Sequence, residues 1–271
     1  MFIHFLITRF NIKISGFGPE RMTSPFMTEE WLTQRLDLFL TYCVPSVLEQ
    51  TNKNFTWLVY FDRSTPGFIL EKVSFLKNKS PDVRIILVDD YDEMLLDIRA
   101  KIKSSQKPFV ITSRLDNDDI ISNEYIERIQ HNFSPVHNTI FNFKSGLEFS
   151  IRKNVMKKWN NRPHNQFISL VEDVGRLSTG SIYSFAHWKA PLIGHIINIE
   201  GEPFWIYIGH ENNYSEQKVR ALPVFTPKNL TMFPKIIRQA KLSWINTLIY
   251  TIKWIPDIMY SKSRRLLSRI K

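Results

Sequence analysis

The first half of the chain alternates between short apolar runs and segments in which apolar residues have helical spacing. The runs are rich in β-branched and aromatic residues and cover positions 2–8, 55–62, 83–89 and 109–115. Such continuous apolar character is typical of strands that are buried on both faces of a sheet. Because helical segments separate the runs, the pattern predicts an α/β fold with a mostly parallel sheet flanked by helices.

Polar side chains follow the predicted strands at the points where the strands end: Arg9, Asp62, Asp89 and Asp116–Asp119. In open α/β sheets, ligands bind outside the carboxyl ends of the strands, so we expect these residues to form the ligand site. The dinucleotide fingerprint GxGxxG and the phosphate loop GxxxxGK[ST] are both missing after the first run. This argues against a nicotinamide enzyme or a P-loop ATPase.

The fourth run ends in three carboxylates within four positions, Asp116, Asp118 and Asp119. Crowded carboxylates repel one another unless a cation lies between them. Oxygen ligands favour a hard ion such as Mg²⁺ or Mn²⁺, which is usually shared with substrate phosphates. The alternative is a polar surface turn in which Ser122 caps a helix that begins near Glu124. The motif alone leaves both interpretations open.

A single cysteine, Cys43, rules out an internal disulfide framework and favours a reducing, cytoplasmic compartment. Its apolar neighbours have helical spacing, which predicts a buried thiol rather than a nucleophile. The apolar start at residues 1–7 lacks a basic leader and a small-residue cleavage site, so we interpret it as a first strand and not as a signal peptide. No apolar run approaches the ~20 residues that a membrane-spanning helix needs.

The net charge of +10 is concentrated at the carboxyl-terminal end. Residues 228–271 contain ten Lys and Arg against one acid, Asp257, which leaves +9 in this tail and about +1 in residues 1–227. Apolar residues at helical spacing over 243–255 predict a basic amphipathic helix that binds an anionic membrane surface. The alternative is a helix packed on the core with a charged outer face. A nucleic-acid partner is not expected, because aromatic stacking platforms are not evident.

The layout resembles a sugar-nucleotide transferase of the GT-A type, in which a strand ends in an Asp-x-Asp motif, here Asp116-Asn117-Asp118. Further motifs resemble a narrower group, the rhamnosyltransferases of bacterial polysaccharide synthesis. These motifs are Thr8-Arg9-Phe10-Asn11, the helix with Trp31, Arg35, Phe39, Tyr42-Cys43, Pro45-Ser46-Val47 and Gln50, Trp57-Leu58-Val59 with Asp62 and Thr65-Pro66, Ser113-Arg114-Leu115 before the acids, and Trp205-Ile206 with His210 and Asn213. The resemblance covers roughly residues 1–215. The expected domains are a transferase domain at 1–227, with a nucleotide-sugar-binding half at 1–133 and an acceptor half at 134–227, and the basic tail at 228–271.

The resemblance also implies roles for individual residues. Asp118 is the expected metal ligand, and a late histidine, His210, is expected to complete the metal site. Asp119 is expected either to bind the metal or to cap the next helix. The remaining residues are expected to contact the donor: Asp116 the ribose or the water shell of the metal, Arg9 the base or the diphosphate, Asp62 the base or the ribose, and Arg114 a phosphate through its fork geometry. The structural alternatives are a surface arginine, a turn-capping aspartate and, for His210, a structural histidine at a strand end. For Arg35, an intramolecular salt bridge and a contact with the substrate are both open.

An inverting transfer needs a carboxylate that takes the proton of the acceptor hydroxyl. Glu172 and Asp173 are the expected candidates for this catalytic base, because they fall in the acceptor half, and Glu200 and Glu202 are rivals. An exposed helix end would explain the Glu172-Asp173 pair equally well.

Together these predictions describe a cytoplasmic, metal-dependent glycosyltransferase, peripheral on the inner face of the plasma membrane. It moves a sugar, rhamnose by resemblance, from a nucleotide-sugar donor to a polysaccharide or lipid-linked glycan acceptor. Two alternatives stay open. One is a Mg²⁺-dependent nucleotidyl- or phosphotransferase, which would need a phosphate loop at residues 16–21. The other is a non-catalytic nucleotide-sugar-binding protein.

Overall fold

Two β-sheets form the frame of the protein, and the structure, a computed structural model, describes residues 1–12, 27–159, 162–210 and 222–252. The strands within these residues are β1 (Phe2–Arg9), β2 (Thr56–Asp62), β3 (Asp82–Val88), β4 (Phe109–Arg114), β5 (Ile120–Ile121), β6 (Thr139–Phe143), β7 (Gly146–Ser150), β8 (Val155–Trp159), β9 (Ile168–Asp173), β10 (His195–Ile199), β11 (Trp205–Gly209) and β12 (Leu222–Val224). The larger sheet has seven strands in the order β10-β6-β9-β4-β1-β2-β3.

The larger sheet is mostly parallel. Strands β3, β2, β1 and β4 run in one direction, and β9 is the one reversed strand, antiparallel to both β4 and β6. Every side chain of β1 from His4 to Thr8 is buried, because neighbouring strands and both faces cover it. The predicted α/β class with a mostly parallel sheet is therefore confirmed.

The helices cover both faces of this sheet. They are α1 (Glu29–Leu38), α2 (Val44–Leu48), α3 (Gly67–Val73), α4 (Tyr91–Ser104), α5 (Tyr125–His131), α6 (Ala190–Ile193) and α7 (Lys235–Arg238). Helix α1 packs Leu32 and Leu36 against one face, and α4 packs Met94 and Ile98 against the other. A π-helical turn, Phe39–Cys43, joins α1 to α2 and buries Cys43 completely, as predicted.

Helix α5 is capped differently from the prediction. Its amino end receives an acceptor from a distant side chain, because the amide of Ile126 donates to Oε1 of Gln50 at 3.0 Å. Among the described residues, the hydroxyl of Ser122 has no hydrogen-bond partner, whereas its carbonyl accepts from Nε2 of Gln50 and from the amide of Tyr125. The predicted Ser122 cap is wrong, because the buried Gln50, which follows α2, takes its place.

The smaller sheet has five strands in the order β12-β8-β7-β11-β5. Strand β6 belongs to the large sheet and β7 to the small one, so the chain changes sheets at residues 144–145. Indole stacking between Trp205 and Phe167 (4.7 Å between centroids) fills the space between the sheets. Gly146 permits this packing, since a Cβ there would lie 2.1 Å from the indole of Trp205. Both halves of the predicted transferase domain contribute strands to both sheets.

The carboxyl-terminal end of the described chain is helical over residues 244–252. Its polar side faces the protein: Thr247 is fully buried, and Nδ2 of Asn246 donates to the carbonyl of Lys153 at 2.8 Å. Its apolar side is exposed, so the alternative of a helix packed on the core with a charged outer face is wrong for this segment. The basic residues of the predicted tail from 253 onwards lie outside the described part of the chain. Within the described residues, we find no helix with the length and apolar character needed to cross a bilayer.

Candidate active site

The carboxyl ends of β1, β2 and β4 meet at one margin of the large sheet, which we call the carboxyl edge. Ile7 of β1 lies beside Arg114, the last residue of β4, so the residues that follow the two strands are neighbours. Arg9, Asp62 and the segment Asp116–Asp119 therefore gather at this edge, as the strand pattern predicts. The amide side chain of Asn117 holds the acidic segment in place by donating to the carbonyl of Phe10 at 2.6 Å.

Asp118 lies at the centre of the site, between a guanidinium and an imidazole. Its Oδ2 accepts from Arg35 of α1 at 2.5 Å and lies 2.8 Å from Nε2 of His210, which follows β11. Burial alone would raise the pKa of Asp118, but Arg35 and His210 together hold it below its usual range. The structure thus brings together two predicted metal ligands from distant parts of the sequence. It also gives Arg35 the intramolecular salt bridge that the sequence left as one of two alternatives.

Asp119 lies behind Asp118 and is 1% exposed. Its Oδ1 accepts from the amide of Ile208 at 3.0 Å, so this carboxyl joins the acidic segment to β11, two residues before His210. Burial raises the pKa of Asp119 well above its ordinary value, and the neighbouring charges of Asp118 and Asp116 raise it further. Asp119 does not cap α5, because the backbone that it contacts belongs to β11. Its position helps to align His210 with Asp118.

Two arginines stack on one tyrosine ring at the same edge. The guanidinium carbon atoms of Arg9 and Arg114 both lie 5.2 Å from the centroid of Tyr183, and Arg9 also lies 5.5 Å from the ring of Tyr91. Arg114 makes a bidentate ion pair with Asp116 at 3.0–3.1 Å. Among the described residues, by contrast, no group accepts from Nε of Arg9. Aromatic faces therefore hold the guanidinium of Arg9 at the carboxyl edge.

Asp62 ends β2 and orders the turn after it. Its Oδ1 accepts from the amide of Ser64 at 2.8 Å and from the hydroxyl of the same residue. The amide of Asp62 donates to Oδ1 of Asn11, whose Nδ2 in turn donates to the hydroxyl of Thr65 at 3.0 Å. These contacts give Asp62 the turn-capping role that the sequence left open. They also tie the turn after β2 to the loop after β1 at the carboxyl edge.

The donor set suits a cation that is shared with a substrate rather than one enclosed by protein. Asp118 and His210 place a carboxylate oxygen and an imidazole nitrogen at one point. Within the described residues, no three His, Cys, Asp or Glu side chains form a metal-binding group. Mg²⁺ commonly takes one or two protein ligands and fills its remaining positions with phosphate oxygens and water. Asp118 and His210 would be the two protein ligands of such an ion.

Glu172 is placed far from the acidic segment. It lies beside Val110 on β4, four residues before Arg114, and the rise of a strand puts it roughly 13 Å from the carboxyl edge. The carboxylate is fully buried, and its Oε1 accepts from the amides of Ser178, Thr179 and Gly180 at 3.0–3.2 Å. The predicted role as a base at this edge does not fit that position. Glu172 instead fixes the loop that leads to Tyr183.

The other predicted bases make contacts away from Asp118 or are exposed. Asp173 pairs with Phe109 at the first residue of β4, and its carboxylate caps the following turn by accepting from the amide of Gly175 at 2.9 Å. That hydrogen bond, together with Arg176, lowers the pKa of Asp173. Glu200 is exposed and pairs with Lys144 at 2.9 Å, and Glu202 is exposed. Among the described residues, the ion-pair partners of Asp118 are Arg35 and His210, and none of these three carboxylates shares them.

The small sheet adds site residues that the sequence analysis did not identify. Glu148 of β7 lies beside Tyr207 of β11, and its Oε1 pairs with Lys157 at 2.7 Å. Burial raises the pKa of Tyr207, and the nearby charges of Asp119 and Asp118 raise it further. The sequence signal for these residues is a polar side chain within an otherwise apolar strand. Whether such a side chain lies near Asp118 depends on which strands pair with each other, and the sequence does not show this pairing.

The fold and the carboxyl edge define the class of this protein. An α/β sheet that gathers an Asp-x-Asp segment, a late histidine and arginines at one margin is the arrangement of a nucleotide-sugar transferase, as the GT-A resemblance implied. The family model described as "Putative rhamnosyl transferase" matches residues 4–222. The chain belongs to this family, which confirms both the predicted family and the predicted enzyme class, a glycosyltransferase.

Solved structures with similar folds are more distant. TarS 1–349 of S. aureus in complex with UDP-GlcNAc is 14% identical, with a TM-score of 0.44, and the similarity covers 79% of this chain and 60% of that one. HddC from Yersinia pseudotuberculosis, complexed with GMP-PN, is 11% identical, with a TM-score of 0.41 over 76% of this chain and 93% of that one. No curated protein sequence matches the chain. Likeness at this level carries no information on substrate.

Proposed function

We propose that this protein transfers a sugar, with rhamnose as the first candidate, from a nucleotide-sugar donor to a glycan or lipid-linked acceptor. We place the reaction on the cytoplasmic face of a membrane. The observation that carries this proposal is the convergence of Asp118, His210 and Arg9 at the carboxyl edge of a chain that belongs to a sugar-transferase family. The phosphate loop that the nucleotidyltransferase alternative would need, residues 16–21, lies outside the described residues.

Charge neutralisation is the chief chemical task of such a site. Cleavage of the donor leaves negative charge on a departing nucleoside diphosphate, and fixed cations lower the barrier by stabilising that charge. Arg35 and Arg114 are each engaged with a carboxylate, whereas Arg9 is held only by tyrosine faces at its described contacts. We therefore assign the diphosphate to Arg9. Arg114 and Asp116 then form the adjoining wall, where the ribose or the second phosphate lies.

A divalent cation, Mn²⁺ or Mg²⁺, is part of this proposal. Asp118 and His210 would hold it, and when bound it would neutralise charge on the diphosphate. Arg35 keeps Asp118 ionised and oriented toward His210. Asp119 is better suited to positioning than to coordination, because it is 1% exposed and accepts from the amide of Ile208.

The acceptor side requires a base if the anomeric centre inverts. Glu148 of the small sheet lies beside Tyr207. Tyr207 in turn lies close enough to Asp118 and Asp119 for their charges to raise its pKa. Lys157 pairs with Glu148 at 2.7 Å and holds its carboxylate in place. We therefore propose Glu148, in place of Glu172 or Asp173, as the group that takes the proton of the acceptor hydroxyl. Glu148→Gln should lower kcat with little change in donor affinity.

Donor binding provides the decisive experiment. Thermal stability is measured against a panel of nucleoside diphosphate sugars, with and without Mn²⁺, for the wild type, Asp118→Asn and Arg9→Met. One sugar nucleotide should stabilise the wild type, with Mn²⁺ strengthening the effect, and both variants should lose the stabilisation. Asp173→Asn is the matched control, since it removes a carboxylate at the opposite edge and should retain the wild-type response. The proposal fails if no sugar nucleotide stabilises the wild type in either metal condition.

A further inference from the structure

The helical residues 244–252 are oriented with their polar side inward. Thr247 is fully buried, the amide of Ser243 donates to the carbonyl of Asn154 at 2.8 Å, and Asn246 bonds to the backbone of Lys153. The side chain of Tyr250 completes the contact, with its ring 4.9 Å from Nζ of Lys153. Hydrogen bonds and a cation–π contact, rather than apolar burial, therefore attach this helix to the protein.

The opposite side of the helix is apolar and faces solvent. Its exposed fractions reach 67% for Trp244 and 57% for Ile252. The residues that form this surface, which we call the apolar helix face, are Trp244, Ile245, Leu248, Ile249 and Ile252. A surface helix of a globular protein normally turns such a face toward the core. A contiguous apolar patch left in solvent usually marks a site that another surface covers.

The charges around the apolar helix face indicate the kind of surface that covers it. Lys153 and Lys157 flank Tyr250 on the protein side of the helix. The sequence from 228 to 271 carries +9, with ten basic residues and one acid. An apolar face bordered by basic residues and carrying a tryptophan at its end complements a surface with an apolar interior and anionic headgroups. We propose that the apolar helix face docks on an anionic lipid bilayer.

This docking would place the acceptor half at the lipid surface. Lys157, which contacts the ring of Tyr250, also pairs with Glu148 at 2.7 Å, and Glu148 lies beside Tyr207 at the site. The helix is thus linked to the acceptor side by two consecutive side-chain contacts. This part of the inference rests on the proposed function and narrows the acceptor to one carried on a lipid.

Vesicle binding tests the inference with the full-length protein. Co-sedimentation is measured with vesicles of phosphatidylcholine alone and of phosphatidylcholine mixed with phosphatidylglycerol. The wild type should bind the mixed vesicles and bind the neutral ones much less. The double substitution Trp244→Ser with Leu248→Gln should weaken binding by about tenfold or more, because each buried methylene group contributes to bilayer affinity. The control Trp188→Ser with Leu192→Gln removes side chains that are 65% and 81% exposed elsewhere, and it should bind as the wild type does.

Two outcomes would overturn the inference. If the Trp244/Leu248 variant binds mixed vesicles as tightly as the wild type, the apolar helix face is not the docking surface. If light scattering shows a wild-type dimer that the same variant converts to a monomer, a second copy of the chain covers the face. Donor-induced thermal stabilisation, measured without vesicles, should be equal in the wild type and in both double variants. Vesicle binding therefore tests the docking surface, and the donor panel separately tests the transferase proposal. A failure of one does not imply a failure of the other.

Discussion

Replacing Glu172 separates a role in catalysis from a role in holding the Tyr183 loop. Its Oε1 accepts from three backbone amides, those of Ser178, Thr179 and Gly180, and from the hydroxyl of Ser178 at 3.3 Å. Hydrogen bonds to a charged acceptor contribute about 1.5–3 kcal/mol each, although the contributions do not add. Glu172→Gln keeps an oxygen acceptor but loses the charge. It also places an amide NH₂ at the position of the buried Oε2, which has no hydrogen-bond partner among the described residues.

These terms fix the expected magnitudes. Glu172→Gln should lower the free energy of unfolding by about 2 kcal/mol, and Glu172→Ala by about 4 kcal/mol, because alanine leaves the three loop amides without this acceptor. For a chain of this size, these losses correspond to a fall in Tm of roughly 5 °C and 10 °C. Asp173→Asn, at the neighbouring and half-buried carboxylate, should change Tm little.

The assay combines thermal unfolding with steady-state kinetics on the sugar nucleotide that the binding panel identifies. If Glu172 holds the loop, Glu172→Gln should lose stability and raise the KM for the donor, with kcat close to that of the wild type. If Glu172 were the base, kcat would fall by about 10²–10⁴ with little change in Tm. A large fall in kcat at unchanged Tm would therefore refute the structural assignment.

Three further substitutions test other contacts. Arg35→Met should destabilise the protein by about 3–5 kcal/mol in urea unfolding, because it leaves the carboxylate of Asp118 buried without its ion-pair partner, and Arg35→Lys should restore part of the loss. His4→Gln should reduce the loss of stability in acid. Burial lowers the pKa of His4 from 6.5 to about 3, so the unfolded chain binds a proton that the folded chain does not as pH falls below 6.5. The wild type should lose about 2 kcal/mol more than the variant between pH 7 and pH 5, and equal losses would contradict this origin. Tyr183→Phe should leave donor affinity, measured by calorimetry, near that of the wild type. Tyr183→Leu should weaken donor affinity several-fold, because it removes the aromatic face beneath Arg9. Equal effects of the two substitutions would exclude the cation–π contact as the cause.

Much of the fold could be predicted from local pattern. The apolar runs became β1 to β4 because continuous burial on both faces requires continuous apolar sequence. Thr28 caps α1 through its hydroxyl, as its position before Glu29 and Glu30 predicts. The clustering of Arg9, Asp62 and the acids at one edge followed from strand direction alone. These features depend on residues close in sequence or on a rule that applies to every parallel sheet.

Glu172 shows why chain order alone could not place a residue at the carboxyl edge. Chain order puts it in the acceptor half, but β9 is the reversed strand of the large sheet, so the end of that strand points away from the carboxyl edge. Glu148, the base that we propose, lies beside Tyr207 because β7 pairs with β11 in the small sheet. Neighbouring residues do not reveal the reversal of β9 or the pairing of β7 with β11. Strand direction and sheet membership depend on pairing between segments that are distant in sequence.

The amino-acid sequence by itself determined the α/β class, the acidic segment at the carboxyl edge and the basic charge of the carboxyl-terminal tail. Composition, periodicity and charge are properties of neighbouring residues, and they persist whatever the rest of the chain does. Only the tertiary structure decided that Arg35 and His210 meet at Asp118, that Glu172 holds a loop, and that the helix at 244–252 turns its apolar side outward. Each of these depends on contacts across large separations in sequence, where the geometry of packing selects the partners.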